Sequence, residues 1–331
     1  MSKKKPIPVI DLFAGPGGLG EGFSVLTDEK ENRVFNIALS IEKEEYAHQT
    51  LELRSFFRQF TKDNIPEEYY KYLRREIDRD TLFAHYEKES RSAKDEVLKI
   101  ELGKPEFENS IDEKITKALE NASNWLLIGG PPCQAYSLVG RSRKQQKYGL
   151  DEADEKVYLY RAYYRILAKF NPPIFIMENV KGLLSSKVKG EADLLFNQII
   201  SDLKNPGKAY IELNGKSVKD IESKGYRIYS LVKTTQNEDF FDDAPMFDPR
   251  DFIVKCEEYG IPQQRHRVIL LGIRNDILLR PDVLENKQLV NIEKVINRLP
   301  RLRSGLSKQN DSKETWKNVI NGFLDNGYIG K

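Results

Sequence analysis

Of the two cysteines among the 331 residues, Cys133 stands directly behind two prolines, in Gly129-Gly-Pro-Pro-Cys-Gln-Ala-Tyr-Ser137. A buried cysteine behaves as a small hydrophobe and needs no such setting. Here an apolar run stops sharply at glycine and proline, and the thiol is left in a polar loop. That position suits a nucleophile. A second candidate is Glu178, at the end of an apolar run and followed by Asn-Val-Lys-Gly182. A carboxylate at the edge of a buried strand is expensive to desolvate, so it serves a site or an ion pair. Arg265 and Arg267, in Tyr259-Gly-Ile-Pro-Gln-Gln-Arg-His-Arg267, are two apart at a strand start and are expected on one face. His266 would point the other way, in a structural role. A fourth group lies at the amino end, where Gly15, Gly17 and Gly20 keep the G-x-G-x-x-G spacing of a nucleotide-binding turn. Glu42 follows about twenty residues later, where a carboxylate can accept ribose hydroxyl protons. This spacing leaves NAD and S-adenosylmethionine both open. Glu21 in the first turn of the helix opposes a pyrophosphate but not a sulfonium, and leans towards the latter.

These groups need strands to carry them. Strands are expected at 6–11, 34–41, 125–128, 172–177 and 268–272, with helices after the glycine turn to about Leu26 and at 158–170. Strand, glycine turn and helix in succession make the first half of a βαβ unit. In open α/β sheets, ligand chemistry sits at the carboxyl ends of the strands, where all four groups fall. Residues 52–103 are dense in Glu, Lys, Arg and Tyr. They are expected to form a helical excursion outside the sheet, with no chemistry assigned. Ser110-Ile-Asp-Glu113 matches a capping box, making Asp112 a first-turn residue, with a cofactor contact as the alternative. Cys256 is expected to be an ordinary strand residue.

Charged residues make up 31% of the chain yet leave a net charge of only +2. Bulk charge therefore announces no nucleic-acid partner, although Arg141-Ser-Arg-Lys-Gln-Gln-Lys147 is a local basic tract. Two distant cysteines are no disulfide framework, which suggests a reducing compartment. No apolar run reaches membrane-spanning length, and the lysines at the amino end run straight into a strand. A cytoplasmic protein without a membrane partner is expected.

Taken in order, DLFAGPGGLGEGF, GGPPCQAYS, MENVKG and YGIPQQRHRVILLG resemble the motifs of the DNA cytosine-5 methyltransferase family. The resemblance spans Ile7 to about Arg274. It implies a Rossmann-like S-adenosylmethionine-dependent methyltransferase fold, a mostly parallel sheet with helices on both faces. By the same resemblance, Cys133, Glu178, Arg265 and Arg267 are catalytic, with Cys133 adding at C6 of cytosine, Glu178 donating to ring N3 and Arg267 holding O2. Phe13, Ala14, Gly15, Gly17, Gly18, Glu42, Pro132 and Leu159 would contact the cofactor, and no metal is required. The substrate would be double-stranded DNA with its target base flipped out, and the loop 137–150 would close over that base. The expected organisation is a catalytic core, 1–275, and a linker with the start of a recognition region, 276–331. Because the family's recognition domain and final Gly-Asn-x-Val-Pro motif do not follow, a second polypeptide carrying them is expected, with a cognate restriction endonuclease as a further partner. Three alternatives remain: a tRNA cytosine-5 methyltransferase, a nucleotide-dependent oxidoreductase, and a non-catalytic subunit or truncated copy. The exposed spacing of Val319, Ile320 and Phe323 suits a helix face that packs on something else.

Overall fold

The run Ile7-Pro-Val-Ile-Asp-Leu12 is apolar almost throughout, the composition of a strand covered on both faces. In the computed structural model it is β1 (Ile7–Leu12), an interior strand of an eight-stranded sheet. The structure describes residues 5–131, 159–185, 195–214, 223–234, 248–300, 304–306 and 309–325. The other strands are β2 (Phe35–Glu42), β3 (Val97–Lys99), β4 (Leu126–Gly129), β5 (Ile174–Val180), β6 (Tyr226–Tyr229), β7 (Ile253–Lys255) and β8 (His266–Arg274). Their order is β3-β2-β1-β4-β5-β8-β6, with β7 also on β8. The pairs from β3 to β5 are parallel, and the three pairs that β8 makes are antiparallel.

Helices cover both faces. On one face, Ile10, Leu12, Leu39, Ile41, Leu127, Phe175 and Met177 pack under α6 (Glu108–Leu119) and α7 (Leu159–Phe170). On the other, Val9, Ile37, Leu126 and Ile128 receive Leu19 and Phe23 of α1 (Gly18–Ser24). The β1–β2 register shifts between Val9 and Ile10. That shift lets Ala38 and Leu39 both reach the first face. Where β5 meets β8, Phe175 lies opposite Gly272. A Cβ at Gly272 would fall 2.0 Å from the Phe175 ring, so only glycine leaves room for it.

The excursion differs from the expectation. Its helices α2 (Glu45–Arg58), α3 (Glu67–Leu73), α4 (Arg79–His85) and α5 (Glu87–Glu96) build a small core of their own around Phe56, Leu82, Phe83 and Ala93. It then returns to the sheet as β3, which pairs in parallel with Ser40–Glu42. The polar composition hid this strand, because three residues are too few to show a period. The capping box is also absent. Helix α6 starts at Glu108, two residues before Ser110, and its cap makes no side-chain hydrogen bond. Asp112 is buried instead, accepting from Arg165 Nη2 at 2.8 Å and from Lys169 Nζ at 2.5 Å across to α7. Cys256 lies one residue past β7 and opens a 3-10 turn. Among the described residues, no helix is long and apolar enough to cross a membrane. In the last described helix, α8 (Lys313–Asp325), Ile320, Phe323 and Leu324 are exposed, while 326–328 lie outside the described residues.

Candidate active site

The carboxyl ends of β1, β2, β4 and β5 open on the same side of the sheet, and the chain leaves each through a short turn. After β1 the backbone bends tightly, with Phe13, Gly15 and Gly17 all at positive φ (54°, 56° and 84°). For an aromatic residue such as Phe13 this conformation costs of order 1–3 kcal/mol and persists only where surroundings impose it. The imposing contacts are on β2. The Ala14 amide donates to the Ile41 carbonyl at 3.1 Å, and the Gly15 amide donates to Glu42 Oε2 at 2.8 Å. Glu42 Oε1 accepts from the Lys43 and Glu44 amides at 2.9 and 2.7 Å. This carboxylate thus clamps the glycine turn to the end of β2 before any ligand arrives. It retains lone-pair capacity for a further donor.

A cavity of about 470 Å³ opens above this clamp. Phe13, Gly15, Glu42, Gly130 and Leu159 line it, together with Ile100, Glu101 and Leu102 from the turn after β3. Ala14 and Gly17 shape the turn behind it, and Gly18 begins α1. The apolar walls suit a flat heterocycle, and Glu42 and Glu101 are acceptors for hydroxyl or amino donors. At Gly15 the positive φ itself favours glycine; at Gly18 nothing would obstruct a Cβ, so the space beside it is open to a ligand. The cavity therefore has the room and the acceptors that an adenosine-bearing ligand, S-adenosylmethionine among them, would need. Residues 100–102 were missed in the sequence because their strand was hidden in the excursion; the available signal was the Val97-Leu-Lys-Ile100 run before a carboxylate. Lys43 Nζ reaches Glu101 Oε1 at 2.6 Å across the rim. Glu21, with a first-turn charge expected to oppose a pyrophosphate, is ion-paired with Arg58 of α2. With its charge met by Arg58, Glu21 does not favour a sulfonium over a pyrophosphate.

Gly130 ends the cavity wall and begins the second site. A Cβ there would sit 3.1 Å from Glu178 Oε2. Asn179 Nδ2 donates to the Pro131 carbonyl at 3.2 Å, tying the end of β5 to the chain that leads to Cys133. Glu178 pairs with Ile269 and Val180 with Arg267 in the β5–β8 ladder. That register brings Arg267 Nε to 2.6 Å from Glu178 Oε1. The Nε hydrogen has no aligned acceptor, so the contact is Coulombic rather than a hydrogen bond. Arg267 Nη1 instead donates to the His266 carbonyl at 2.8 Å. Arg265 departs from its expected place: β8 begins at His266, so Arg265 precedes the strand and is exposed. His266 contacts Glu257 Oε1 at 2.8 Å and has a structural setting. Pro132, Cys133, the basic tract 141–147 and the loop 137–150 lie outside the described residues.

Beneath the glycine turn, Asp11 of β1 is buried at 1% exposure, and its Oδ2 has no hydrogen-bond partner. Burial pushes its carboxyl up to about 8; Arg58 opposes the rise, while Glu42 and Glu96 add to it.

The profile of the C-5 cytosine-specific DNA methylase family matches residues 88–211 and 247–328, more than half of the chain. The Type II methyltransferase M.Bpa9945I of Bacillus paralicheniformis is 32% identical over 285 residues, 81% of this chain and 54% of that protein. The Type II methyltransferase M.DdeI of Desulfomicrobium norvegicum is 24% identical over 303 residues, 90% and 49% respectively. The solved Entamoeba histolytica methyltransferase EhMeth superposes with a TM-score of 0.45 at 16% identity, over 92% of this chain and 62% of its own. The chain thus spans about half the length of the curated relatives it matches. With the motifs in order and the family profile falling on the excursion's end, α6, α7, β5 and β8, the chain belongs to the C-5 cytosine-specific DNA methylase family.

Proposed function

We propose that this chain carries the catalytic half of an S-adenosylmethionine-dependent DNA (cytosine-5-)-methyltransferase, the modification partner of a restriction endonuclease. The observation that supports it best is Gly130, which lines the cofactor-sized cavity and also packs against the Glu178 carboxylate. A methyl donor in one pocket and a ring held by Glu178 and Arg267 in the other would meet there. Bound in the cavity, S-adenosylmethionine supplies an electrophilic methyl group. The Cys133 sulfur forms a bond to C6 of cytosine, which drives the C5–C6 electron pair towards C5 as N3 takes a proton from the Glu178 carboxyl. A free thiol titrates near ~8.5, so Cys133 needs deprotonation or a cationic neighbour to act. Arg267 holds the O2 edge, and exposed Arg265 serves a phosphate. After methylation at C5, a base removes the C5 proton, the C6–S bond breaks to restore the thiolate, and N3 returns its proton to the Glu178 carboxylate. Glu42 and Leu159 hold the adenosine end.

The duplex must release its target base into this site at a cost of a few kcal/mol. The matched relatives carry about as much chain again. We assign the DNA-gripping surface to such a second half, whether on the same or another polypeptide. The test is tritiated methyl transfer to cytosine-containing duplex DNA and to tRNA, with and without that half. Cys133→Ser should abolish incorporation, and 5-fluorocytosine DNA should trap the parent covalently. Incorporation into tRNA alone, or equal trapping of Cys133→Ser, would overturn the assignment.

A further inference from the structure

The excursion α2–α5 lies behind the glycine turn, and two independent contacts join them. Leu51 of α2 packs so closely on the turn that a Cβ at Gly17 would fall 2.6 Å from its Cδ1. Arg58, near the end of the same helix, has a side chain only 10% exposed. Its Nη1 is paired with Glu21 of α1, and its Nη2 lies 2.5 Å from Glu96 Oε1 at the end of α5. Glu96 is itself held by Ser55 Oγ at 2.7 Å.

The helix that Arg58 grips cannot hold its own place. Seven residues are too few for a self-supporting helix, so its position comes from tertiary contacts. Its amino-terminal cap is Gly17, with no side-chain hydrogen bond. Leu19 and Phe23 fix α1 against the sheet through apolar packing, which resists separation more than sliding. The Arg58–Glu21 contact is directional, and a guanidinium spanning two carboxylates defines a register. Any slide of α1 carries Gly17 with it and moves the turn that shapes the cavity. On the ligand side the same turn is held by Glu42 through the Gly15 amide.

We propose that Arg58 is a positioning residue for the cofactor turn, acting through Glu21, and that the α2–α5 excursion is the buttress that holds it. The inference rests on the reading of the cavity as the S-adenosylmethionine site. Arg58 touches no ligand in this scheme. Its effect is on where the Gly15 and Gly17 amides sit.

The experiment compares the full chain with Arg58→Lys, Glu21→Gln and the double variant. It measures S-adenosylhomocysteine affinity by calorimetry, melting temperature without ligand, and amide exchange. Lysine keeps the charge but cannot reach both carboxylates. Each single variant should weaken binding about tenfold, and the double should be no weaker than Arg58→Lys, because the residues act as one unit. Exchange should rise at the 13–17 amides while those of β4 stay protected. Where Arg58→Lys fails to fold, Glu21→Gln alone decides. A parent that binds no cofactor overturns the reading of the cavity together with this inference. A parent that binds, with Glu21→Gln at parental affinity or with fully multiplicative effects, overturns the positioning role alone.

Discussion

Two carboxylates of one sheet, Glu42 at the end of β2 and Glu178 within the last residues of the β5 ladder, are held in opposite ways. Glu42, in the parallel half, receives three backbone amides, from Gly15, Lys43 and Glu44. Glu178, where the sheet turns antiparallel, is met by another side chain, Arg267, and by the bare backbone of Gly130. A carboxylate clamped by amides cannot turn without unmaking the loop that supplies them. One paired through a single arginine contact can exchange that contact for a substrate atom. On the proposed function, the parallel half holds a ligand unchanged and the antiparallel seam takes part in the reaction. Position in the sheet matters less here than the kind of partner each carboxylate has.

The largest expected effect follows from the seam. Glu178→Gln keeps the shape and a donor but has no proton to give. Methyl transfer should fall by about 10²–10⁴-fold, the usual worth of a positioned acid–base group. Cofactor affinity should stay within about twofold, measured by calorimetry beside single-turnover transfer. A comparable loss of cofactor affinity would erase the contrast between the two carboxylates.

A second test asks whether the seam depends on its register. Gly272→Ala places a methyl group into the Phe175 ring, directly opposite on β5. Overpacking of this kind costs about 3 kcal/mol, at the upper end of the usual range. Chemical denaturation should show that loss. Cofactor affinity of the folded fraction should hold, because Phe175 and Gly272 lie outside the cavity lining.

The two halves were unequally legible in the sequence. The glycine turn and Glu42 could be placed because a βαβ unit fixes the distance between its parts along the chain; β1 and β2 fall within one residue of expectation, and α1 starts three residues early, inside the turn. The Glu178–Arg267 contact could not be measured that way, since it depends on how β8 registers on β5 nearly ninety residues later. The same limit made Arg265 and Arg267 look equivalent when only Arg267 is in the strand. Asp112 and Glu21 misled for another reason: each sits where local helix rules offer a sufficient role, yet each is claimed by a distant arginine, Arg165 and Arg58. Tertiary ion pairs leave no periodic trace.

On the parallel side, Glu42→Ala removes the acceptor of three amides at once. Cofactor affinity should weaken by about 2 kcal/mol, the scale of leaving such groups unpaired. Part of that loss is the turn's own order, so hydrogen exchange at Gly15 should rise even without ligand. Weakened binding with unchanged exchange would mean that Glu42 acts on the ligand alone, and the clamp would lose its place in the comparison.

The effect most sensitive to conditions concerns Asp11. Its carboxyl is pushed up to about 8 from an ordinary 3.8, first by burial. It is faced by Arg58 from α2, Glu42 from β2 and Glu96 from α5. Tyr163 of α7 also feels its charge. Between about pH 4 and 8 the folded chain keeps a proton that the unfolded chain has released, so rising pH favours unfolding. The stability contributed by the protonated form is complete below about pH 4, falls steadily from there, and is fully lost once pH passes 8. Asp11→Asn has the same shape and no proton to lose. Near pH 4, where folded and unfolded chains both hold the proton, the two proteins should melt within a degree or two of each other. By pH 9 the asparagine variant should melt higher, by about 2–4 °C for each kcal/mol regained. The measurement is a series of melting curves from pH 4 to 9 in buffers of matched ionic strength. Parallel curves for parent and variant would show that Asp11 does not hold its proton, and that the turn above it rests on a buried anion balanced by Arg58.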